Sequence, residues 1–556
     1  MVTRKEIDSD LITSSHYKSL YTHARETAKP GYYSVHLLDP NATAELTVSG
    51  THSGIHRYNC TGVDQCSLLV DVCHTVLGSS AWGCRNGSLS TTLEQDHVLV
   101  SQGSILSYGH FGQSSPIGGV LVWGYLRVEA YETGTGKPVT IEPKHWLAGT
   151  VYNGTVANIT TNSGSIGSAA VTFANGPVTF IVRAGVSFCS SEDAKKNMET
   201  EQFDPTEGTW ISFDDSKRAV QDVWNSMLSR VSVTPPDDAS AEQKNVMLTK
   251  LYTAVYHSFL APTSYSEWDG KYLGFDWKIH HWKWWNSTQS SFPSCQLSKV
   301  NGRCAEDLIP ESSYVSDLSL WDTHRTQAPW LTLAFPERAK DTVESLVTMT
   351  NQGGHLPRWP FANIYTYCMI ASHGVIIMTD TLTKLCPDNT SSSCPFDRQA
   401  VFKCAKDAVF ADDSRDRFDE LHFVPAEADQ RGASVTLARA YDADIVGNLA
   451  SYVGEQNISS LLKARGQYYR NVWSNSSLAF CGTYANGTTV CTPNEWVPYP
   501  WAHNYTEGNI WQWRWFVPHD VDGLISLFPD RQTYVDMLTK FFNSSVSTHM
   551  GRLLRH

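Results

Sequence analysis

Apolar and polar positions divide the chain into two stretches with different periods. Between residues 30 and 200 the apolar residues come in short runs: "YYSVHLLD", "ATAELTVSG", "SLLVDVCHTV", "HVLVSQGSIL", "VLVWGYLRVEAY" and "AAVTFANGPVTFIVRAGVSF". These runs are rich in β-branched and aromatic residues and are parted by Gly, Asn and Pro, which predicts strands. Their number predicts a β-sandwich. The polar stretch "SSEDAKKNMETEQFDPTEGTW" follows and reads as a boundary. Beyond about residue 215 the period changes. "SKRAVQDVWNSMLSRV", "AEQKNVMLTKLYTAVYHSFL", "KDTVESLVTMTNQ", "ASVTLARAYDADIVGNLASYV", "SSLLKARGQYYRNVW" and "RQTYVDMLTKFF" carry apolar residues three and four apart, the helical spacing. In the second of these, Val246, Leu248, Leu251, Tyr252, Val255 and Phe259 fall on one stripe. Strands first and helices afterwards predict two domains: a leader over 1–22, a β-domain over 23–200, a linker over 201–215 and a helical domain over 216–556. Long polar and aromatic loops join the helices. That arrangement suits an α/α toroid, whose loops build one concave face.

Composition narrows the partners. Of 556 residues, 41% are hydrophobic and 18% charged, an ordinary globular balance. The net charge of −13, with no long basic run, argues against nucleic acid and acidic membrane surfaces. No apolar run approaches the roughly 20 residues of a membrane helix. The 19 tryptophans stand out. Indoles bury large areas in cores, and they also offer a flat face to a sugar ring.

Two further signals concern compartment. Asn-x-Ser/Thr occurs at Asn41, Asn59, Asn86, Asn153, Asn158, Asn286, Asn389, Asn457, Asn475, Asn486, Asn504 and Asn543, each without an intervening Pro. Glycan acceptors of this kind belong on surface loops of secretory proteins. The 13 cysteines include close groups in polar loops: Cys60, Cys66, Cys73 and Cys84, then Cys295 with Cys304, Cys386 with Cys394, and Cys481 with Cys491. These read as loop-closing disulfides; zinc is disfavoured because no C-x-x-C pair occurs. An odd count leaves a thiol over, and Cys368, in an apolar segment, is the expected one. The secretory pathway, the extracellular space or a lysosome-like lumen is therefore the expected location. The start "MVTRKEIDSDLITSSHYKSL" lacks the apolar run of a signal peptide, which implies unconventional export or a missing start.

Four loop segments concentrate unusual residues: "YSEWDGKYLGFDW", "SLWDTHRTQAPWLTL", "NQGGHLPRWP" and "YTEGNIWQWRWFVPHDVDGLI". In the second, Asp322 and Arg325 are three apart and face one way if a helix begins there. They form either a local ion pair or a sugar clamp, in which a carboxylate accepts from vicinal hydroxyls, a guanidinium donates to them and Trp321 floors the pocket. In the third, Gly353-Gly354 permit a tight turn before Arg358 and Trp359. His355 reads as a plain polar loop residue. Downstream, "YCMIASHGVIIMTD" is an apolar helix candidate whose His373 is either a satisfied core histidine or a site residue. In the fourth, a lone carboxylate, Glu507, precedes Trp511, Trp513 and Trp515 at alternate positions, then His519 and Asp520. The alternation fits a half-buried strand-like loop or an apolar surround for the carboxylate.

In order and spacing, "SLWDTHRT", "GGHLPRW", "CMIASHGVIIMTD", "ASVTLARAYDADIVGNLA" and "EGNIWQWRWFVPHDVDGLI" resemble glycoside hydrolase family 92, and "AKPGYYSVHLLD" with "AELTVSGTHSGIHRY" resembles its N-terminal β-domain. The resemblance runs from about residue 23 to about residue 545. It implies a β-sandwich followed by an (α/α) toroid, and a calcium-dependent exo-α-mannosidase that inverts the anomeric centre. On that basis the expected substrate is a terminal α-linked mannose, α-1,2 in particular, on a glycan. Glu507 matches the general acid, and Trp511, Trp513 and Trp515 would help hold its proton. Asp322 and Arg325, with Trp321, Arg358 and Trp359, would bind the mannose. His519 and Asp520 would belong to the pocket or its surround.

The resemblance also implies segments absent from this sequence. An Asn-Glu-Pro segment and a later acidic, Gly-rich segment, expected to carry calcium contacts and the general base, have no counterpart here. The family's opening strands are missing too. On this reading the toroid is incomplete, calcium binding is weak because a hard cation wants six or more oxygens, and a catalytically dead mannose-binding remnant is the alternative to an enzyme. Another toroidal glycosidase of the glucoamylase kind would need its second carboxylate from Asp269, Asp276 or Asp522.

Overall fold

The computed structural model describes residues 2–3, 18–61, 65–72, 74, 84–107, 115–147, 150–153, 156–162, 167–174, 177–282, 299–300, 303–304, 312–388, 394–411, 417–491 and 504–543. Two compact units emerge, one of Met1–Asp317 with Pro360–Thr366, the other of Leu318–Trp359 with Tyr367–His556.

The first unit opens with the predicted strands. In chain order they are β1 (Val2–Thr3), β2 (Glu26–Lys29), β3 (Tyr32–Leu37), β4 (Ala42–Val48), β5 (Ser53–Cys60), β6 (Gln65–Asp71), β7 (Cys84–Gln95), β8 (Val98–Ser107), β9 (Val120–Glu132), β10 (Glu142–Leu147), β11 (Thr150–Asn153), β12 (Val156–Asn162), β13 (Gly167–Ala174) and β14 (Val178–Ser187). They form a nine-stranded sheet in the order β12-β7-β8-β9-β14-β5-β4-β3-β2 and a five-stranded sheet in the order β1-β6-β13-β10-β11. Pairing is antiparallel throughout, so alternate residues face one core. Phe180 sits opposite both Tyr58 and Ala130 in the ladders, and all three are buried. Leu68 and Cys66 of the smaller sheet join Leu99, Val128 and Phe180 of the larger one in a shared apolar core. That is sandwich packing, and the Cys60–Cys66 disulfide ties β5 to β6, one strand from each sheet.

The stretch that reads as a polar boundary begins with a helix, α1 (Ser191–Gln202). Ser190 caps it by accepting from the Asp193 N–H at 3.0 Å. Its buried face carries Asp193, Asn197 and Gln202 beside Ala194 and Met198, so the apolar period that marks a helix is absent. The helix lies hard on β14: a Cβ at Gly185 would come within 2.2 Å of the Ala194 carbonyl oxygen. Two more helices follow, α2 (Phe213–Ser229) and α3 (Ala241–His257). Along the stripe predicted on α3, Val255 is buried, Leu248, Leu251, Tyr252 and Phe259 are partly buried, and Val246 is exposed.

The second unit is helical: α4 (Leu320–Thr323), α5 (Gln327–Ala334), α6 (Pro336–Gly353), α7 (Gly374–Leu385), α8 (Arg398–Phe410), α9 (Phe418–Leu421), α10 (Gly432–Tyr452), α11 (Gln456–Gly466), α12 (Ile510–Trp513), α13 (Val521–Ile525) and α14 (Arg531–Asn543). Successive helices pack as hairpins, α5 on α6, α7 on α8 and α10 on α11. Helix α10 is central, touching α7, α8 and α11, and is buried on nearly every side. Ala433, Ala438, Ala440, Ala443 and Gly447 keep it slim enough for that. Its two buried acids are both engaged, Asp444 with Lys463 at 2.8 Å and Asp442 with His373 at 2.7 Å. Gly354 ends α6 in the left-handed region at φ 90°, donating its N–H to the Thr350 carbonyl at 2.9 Å.

Cys386–Cys394 and Cys481–Cys491 are disulfides, as their spacing predicts. Cys189, Cys368 and Cys404 are outside disulfides; Cys73 and Cys295 lie outside the described residues. Among those residues, no helix is long and apolar enough to cross a membrane.

The sequons separate by exposure. Asn41, Asn86, Asn457, Asn475 and Asn486 are exposed. Asn504 is buried, and its side-chain amide donates to the Val490 carbonyl at 3.0 Å. Where the chain is exposed to N-glycosylation, peptide mapping should find glycan at exposed acceptors and none at Asn504. A glycosylated Asn504 peptide would contradict this packing.

Candidate active site

The loop that presents Glu507 is pinned on both sides before the carboxylate is reached. Tyr505 donates its hydroxyl to the Phe480 carbonyl at 2.6 Å. The Thr506 N–H donates to the hydroxyl of Ser434, in the first turn of α10, at 3.0 Å. The indole N–H of Trp513 donates to the Thr506 carbonyl at 2.9 Å. A Cβ at Gly508 would stand 2.8 Å from that indole nitrogen, so glycine is what lets the ring close over the loop. Glu507 itself sits at φ 43°, a left-handed conformation that non-glycine residues seldom hold without surrounding support.

The tryptophan run is not a strand. Asn509 caps α12, accepting from the N–H groups of Trp511 and Gln512, while Gln512 accepts from the Asn509 N–H at 3.0 Å. The three indoles then part. Trp513 enters the core; Trp511 packs partly buried against it, its ring 4.5 Å from the Arg514 guanidinium. Trp515 stacks on Phe528. Trp513 is thus the indole that fixes the Glu507 backbone.

Opposite stands α4. Its one turn carries Asp322, whose carboxylate accepts the Ser319 hydroxyl, and Trp321, partly buried against the same core as Trp511 and Trp513. Glu507 is open to solvent, yet burial of its carboxyl, followed by the Asp322 charge, raises it above its ordinary value. That shift extends its protonated form toward neutral pH, as a proton donor requires. Arg325 lays its guanidinium 5.0 Å from the centre of the Phe516 ring. Burial lowers its pKa, and Tyr441 and Asp322 pull the other way. It also lines a cavity of about 470 Å³ with His324, Thr379, Asp380, Tyr441 and Pro518.

Arg358 is half-buried and donates to the Met369 carbonyl at 2.8 Å. Burial depresses it first; the positive charges of Arg439 and Arg431 add to this, against Asp442 and Asp429. Trp359, beside it, is half-buried. The thiol of Cys368 ties the group together. Burial raises it, Glu507 and Asp322 raise it further, and Arg358 lowers it. Glu507, Asp322 and Arg358 therefore share one neighbourhood, with Cys368 among them. The sequence singled out Cys368 only as the leftover thiol, and no spacing pointed to this place.

His519 and Asp520 have hydrogen-bond partners of their own, and His519 packs on Tyr441 of the cavity that Arg325 lines. Asp520 caps α13, accepting from the Gly523 N–H at 2.9 Å, and also accepts from Tyr469 at 2.8 Å and Gln467 at 3.0 Å. Burial alone would raise its pKa, but these hydrogen bonds and Arg470 hold it below the ordinary range. His519 stacks on Tyr441, its ring centre 5.7 Å away, and donates from Nε2 to the Gly466 carbonyl at 2.9 Å. Burial pushes its pKa down. Of the other candidate carboxylates, Asp269 and Asp276 belong to the first unit, engaged with Lys271 and His280, and Asp522 is exposed on α13. His373 is 1% exposed and paired with Asp442, hence a core histidine.

Among the described residues, no group of three or more His, Cys, Asp or Glu side chains is placed to hold a metal ion. A cluster of carboxylates for a calcium ion is thus not found among those residues, and no chemical step is derived through one.

Comparison with known proteins places this geometry. No curated protein matches the chain at a significant level. A structure described as a family GH92 alpha-mannosidase from Bacteroides thetaiotaomicron superposes with a TM-score of 0.74 at 21% identity, covering 98% of this chain and 65% of that one. A second structure of that α-mannosidase, in complex with mannoimidazole, gives 0.73 at 22% identity over 97% and 64%. A structure described as a family GH92 inverting mannosidase of the same organism gives 0.73 at 20% identity over 97% and 63%. The chain thus spans just under two thirds of these neighbours' length, and at such identities the likeness establishes the fold. The profile described as the glycosyl hydrolase family 92 N-terminal domain matches residues 1–187 and the one described as its catalytic domain matches residues 193–554, so this chain belongs to glycosyl hydrolase family 92.

Proposed function

We propose that the chain acts on terminal α-linked mannose, α-1,2 in particular, with Glu507 as general acid of an inverting hydrolysis. One observation carries the reading: a carboxyl on a rigidly held, left-handed loop, raised above its ordinary value and set against a second carboxylate, Asp322. The neighbours described as an inverting mannosidase and as a mannoimidazole complex support it.

In this scheme Asp322 accepts from sugar hydroxyls and Arg325 donates to their oxygens, orienting the ring. Trp321, Arg358 and Trp359 are assigned to sugar binding by the family resemblance. The protonated Glu507 gives its proton to the glycosidic oxygen as the bond to the anomeric carbon breaks. Inversion then needs water to add from the opposite face and give up a proton to a base, a role assigned to none of the described residues. Asp322 has a further effect: its negative charge keeps the Glu507 proton on.

That effect has a sign that can be checked. Glu507 works protonated, so activity falls as pH rises through its pKa. Replacing Asp322 by Asn removes the charge that raises this pKa. The alkaline limb of kcat/KM should therefore move to lower pH in Asp322→Asn, measured on an aryl α-mannoside across pH. An unmoved limb, or one shifted to higher pH, would refute the coupling. Mannose release compared between the wild type and Glu507→Gln tests the whole reading.

A further inference from the structure

Beneath Arg325 lies a closed cluster of rings. His373 is 1% exposed, and its ring centre lies 4.4 Å from that of His324, 6.0 Å from Tyr441 and 6.4 Å from Phe516. Phe516 is the ring on which the Arg325 guanidinium rests, and His324 precedes Arg325 in the chain. One acid holds this cluster. Asp442, 2% exposed, accepts from His373 Nδ1 at 2.7 Å and from the Ser372 N–H at 2.7 Å. Both carboxylate oxygens are thereby used. The imidazole is fixed with its proton on Nδ1, and the buried Nε2 has no hydrogen-bond partner among the described residues. Leaving a buried nitrogen unpaired costs free energy; the ring is held by the Asp442 hydrogen bond and by its packing on His324 and Phe516.

We propose that Asp442 and His373 are positioning residues for Arg325. The acid sets the tautomer and angle of the imidazole; the imidazole, with Phe516, Tyr441 and His324, forms the floor that presents the guanidinium to the sugar. The role of Arg325 as a sugar ligand rests on the α-mannosidase reading above; the positioning of Arg325 does not. Neither residue touches the sugar in this scheme, so the effect falls on binding. In Asp442→Asn, one side-chain oxygen still accepts the Ser372 N–H. The new amide then faces Nδ1 as a donor, and the ring proton moves to Nε2, against the ring cluster. His373→Asn is the complementary change, keeping an N–H for Asp442 while deleting the ring.

The test compares kcat and KM for an aryl α-mannoside. Either variant should raise KM by about tenfold and leave kcat within about threefold, and in an Arg325→Ala background the added effect should fall to about twofold or less. A purely structural role would add its full effect in both backgrounds, and that result overturns the proposal. So does a lowered kcat at unchanged KM. A second readout does not need turnover: labelling of Arg325 by phenylglyoxal, followed by peptide mass, should run about threefold or more faster in Asp442→Asn as the guanidinium leaves its floor. Unchanged labelling sinks the positioning even if the wild type is active. Faster labelling in a wild-type background without mannosidase activity sinks the activity reading and keeps the positioning.

Discussion

Glu507→Gln should lower mannose release from an α-linked mannobiose by roughly 10²–10⁴-fold, the usual contribution of a positioned general acid. The loss should depend on the leaving group. A sugar leaving as an alkoxide needs the proton, whereas 2,4-dinitrophenolate does not. Hydrolysis of 2,4-dinitrophenyl α-mannoside by Glu507→Gln should therefore stay within about tenfold of wild type. Equal losses on both substrates would mean that Glu507 holds the sugar and does not protonate it. The reasoning starts at the backbone. The loop backbone at Glu507, at φ 43° and braced next door at Thr506 by Ser434 and Trp513, fixes where the side chain starts, and glutamine fits the same loop without its proton.

Trp513→Ala should be the most destabilising single change around the site. The indole is buried, packs edge-on to Phe516 with ring centres 5.0 Å apart, and donates to the Thr506 carbonyl. Removing a buried aromatic side chain costs about 3–5 kcal/mol, and the stranded carbonyl adds roughly 1 kcal/mol or more. For a unit of this size the packing loss alone lowers Tm by roughly 6–20 °C, at about 2–4 °C per kcal/mol. Trp513→Phe keeps most of the packing and loses the hydrogen bond. Its Tm should change far less, while mannose release still drops because the Glu507 loop is no longer tied. Calorimetry of both variants checks the order. A Trp513→Ala protein as stable as wild type would mean that the ring does not hold this loop.

How much of this could be read in advance depended on whether a buried face was apolar. The strands alternate around a single core, so period two was plain. Helix α1 was hidden because Asp193, Asn197 and Gln202 lie on its buried side. The spacing of α10 gave a helix, but burial on almost every side left no face to choose. In α12 the alternating tryptophans looked strand-like, although Asn509 and Gln512, three apart, already carried a capping box. Asp322, Arg325, Arg358 and Glu507 are assigned to the site by the resemblance; in the structure the Asp322 charge acts on both Glu507 and Arg325. Asp520 could have been recognised as a cap from its place just before a helix turn. Cys368 could not: long-range folding brings it within reach of the Asp322 and Glu507 charges, which no local spacing records. Burial of Asn504 was equally invisible, since a sequon states chemistry and not exposure.

The most direct measurement is mannose release from an α-linked mannobiose by the chain, with calcium and with chelator, wild type against Glu507→Gln. The account predicts release by the wild type and its loss in Glu507→Gln under every condition in which the wild type is active. Release by Glu507→Gln at the wild-type rate would contradict the assignment of the general acid. Binding of mannobiose without release by the wild type would contradict catalysis and leave a mannose-binding chain.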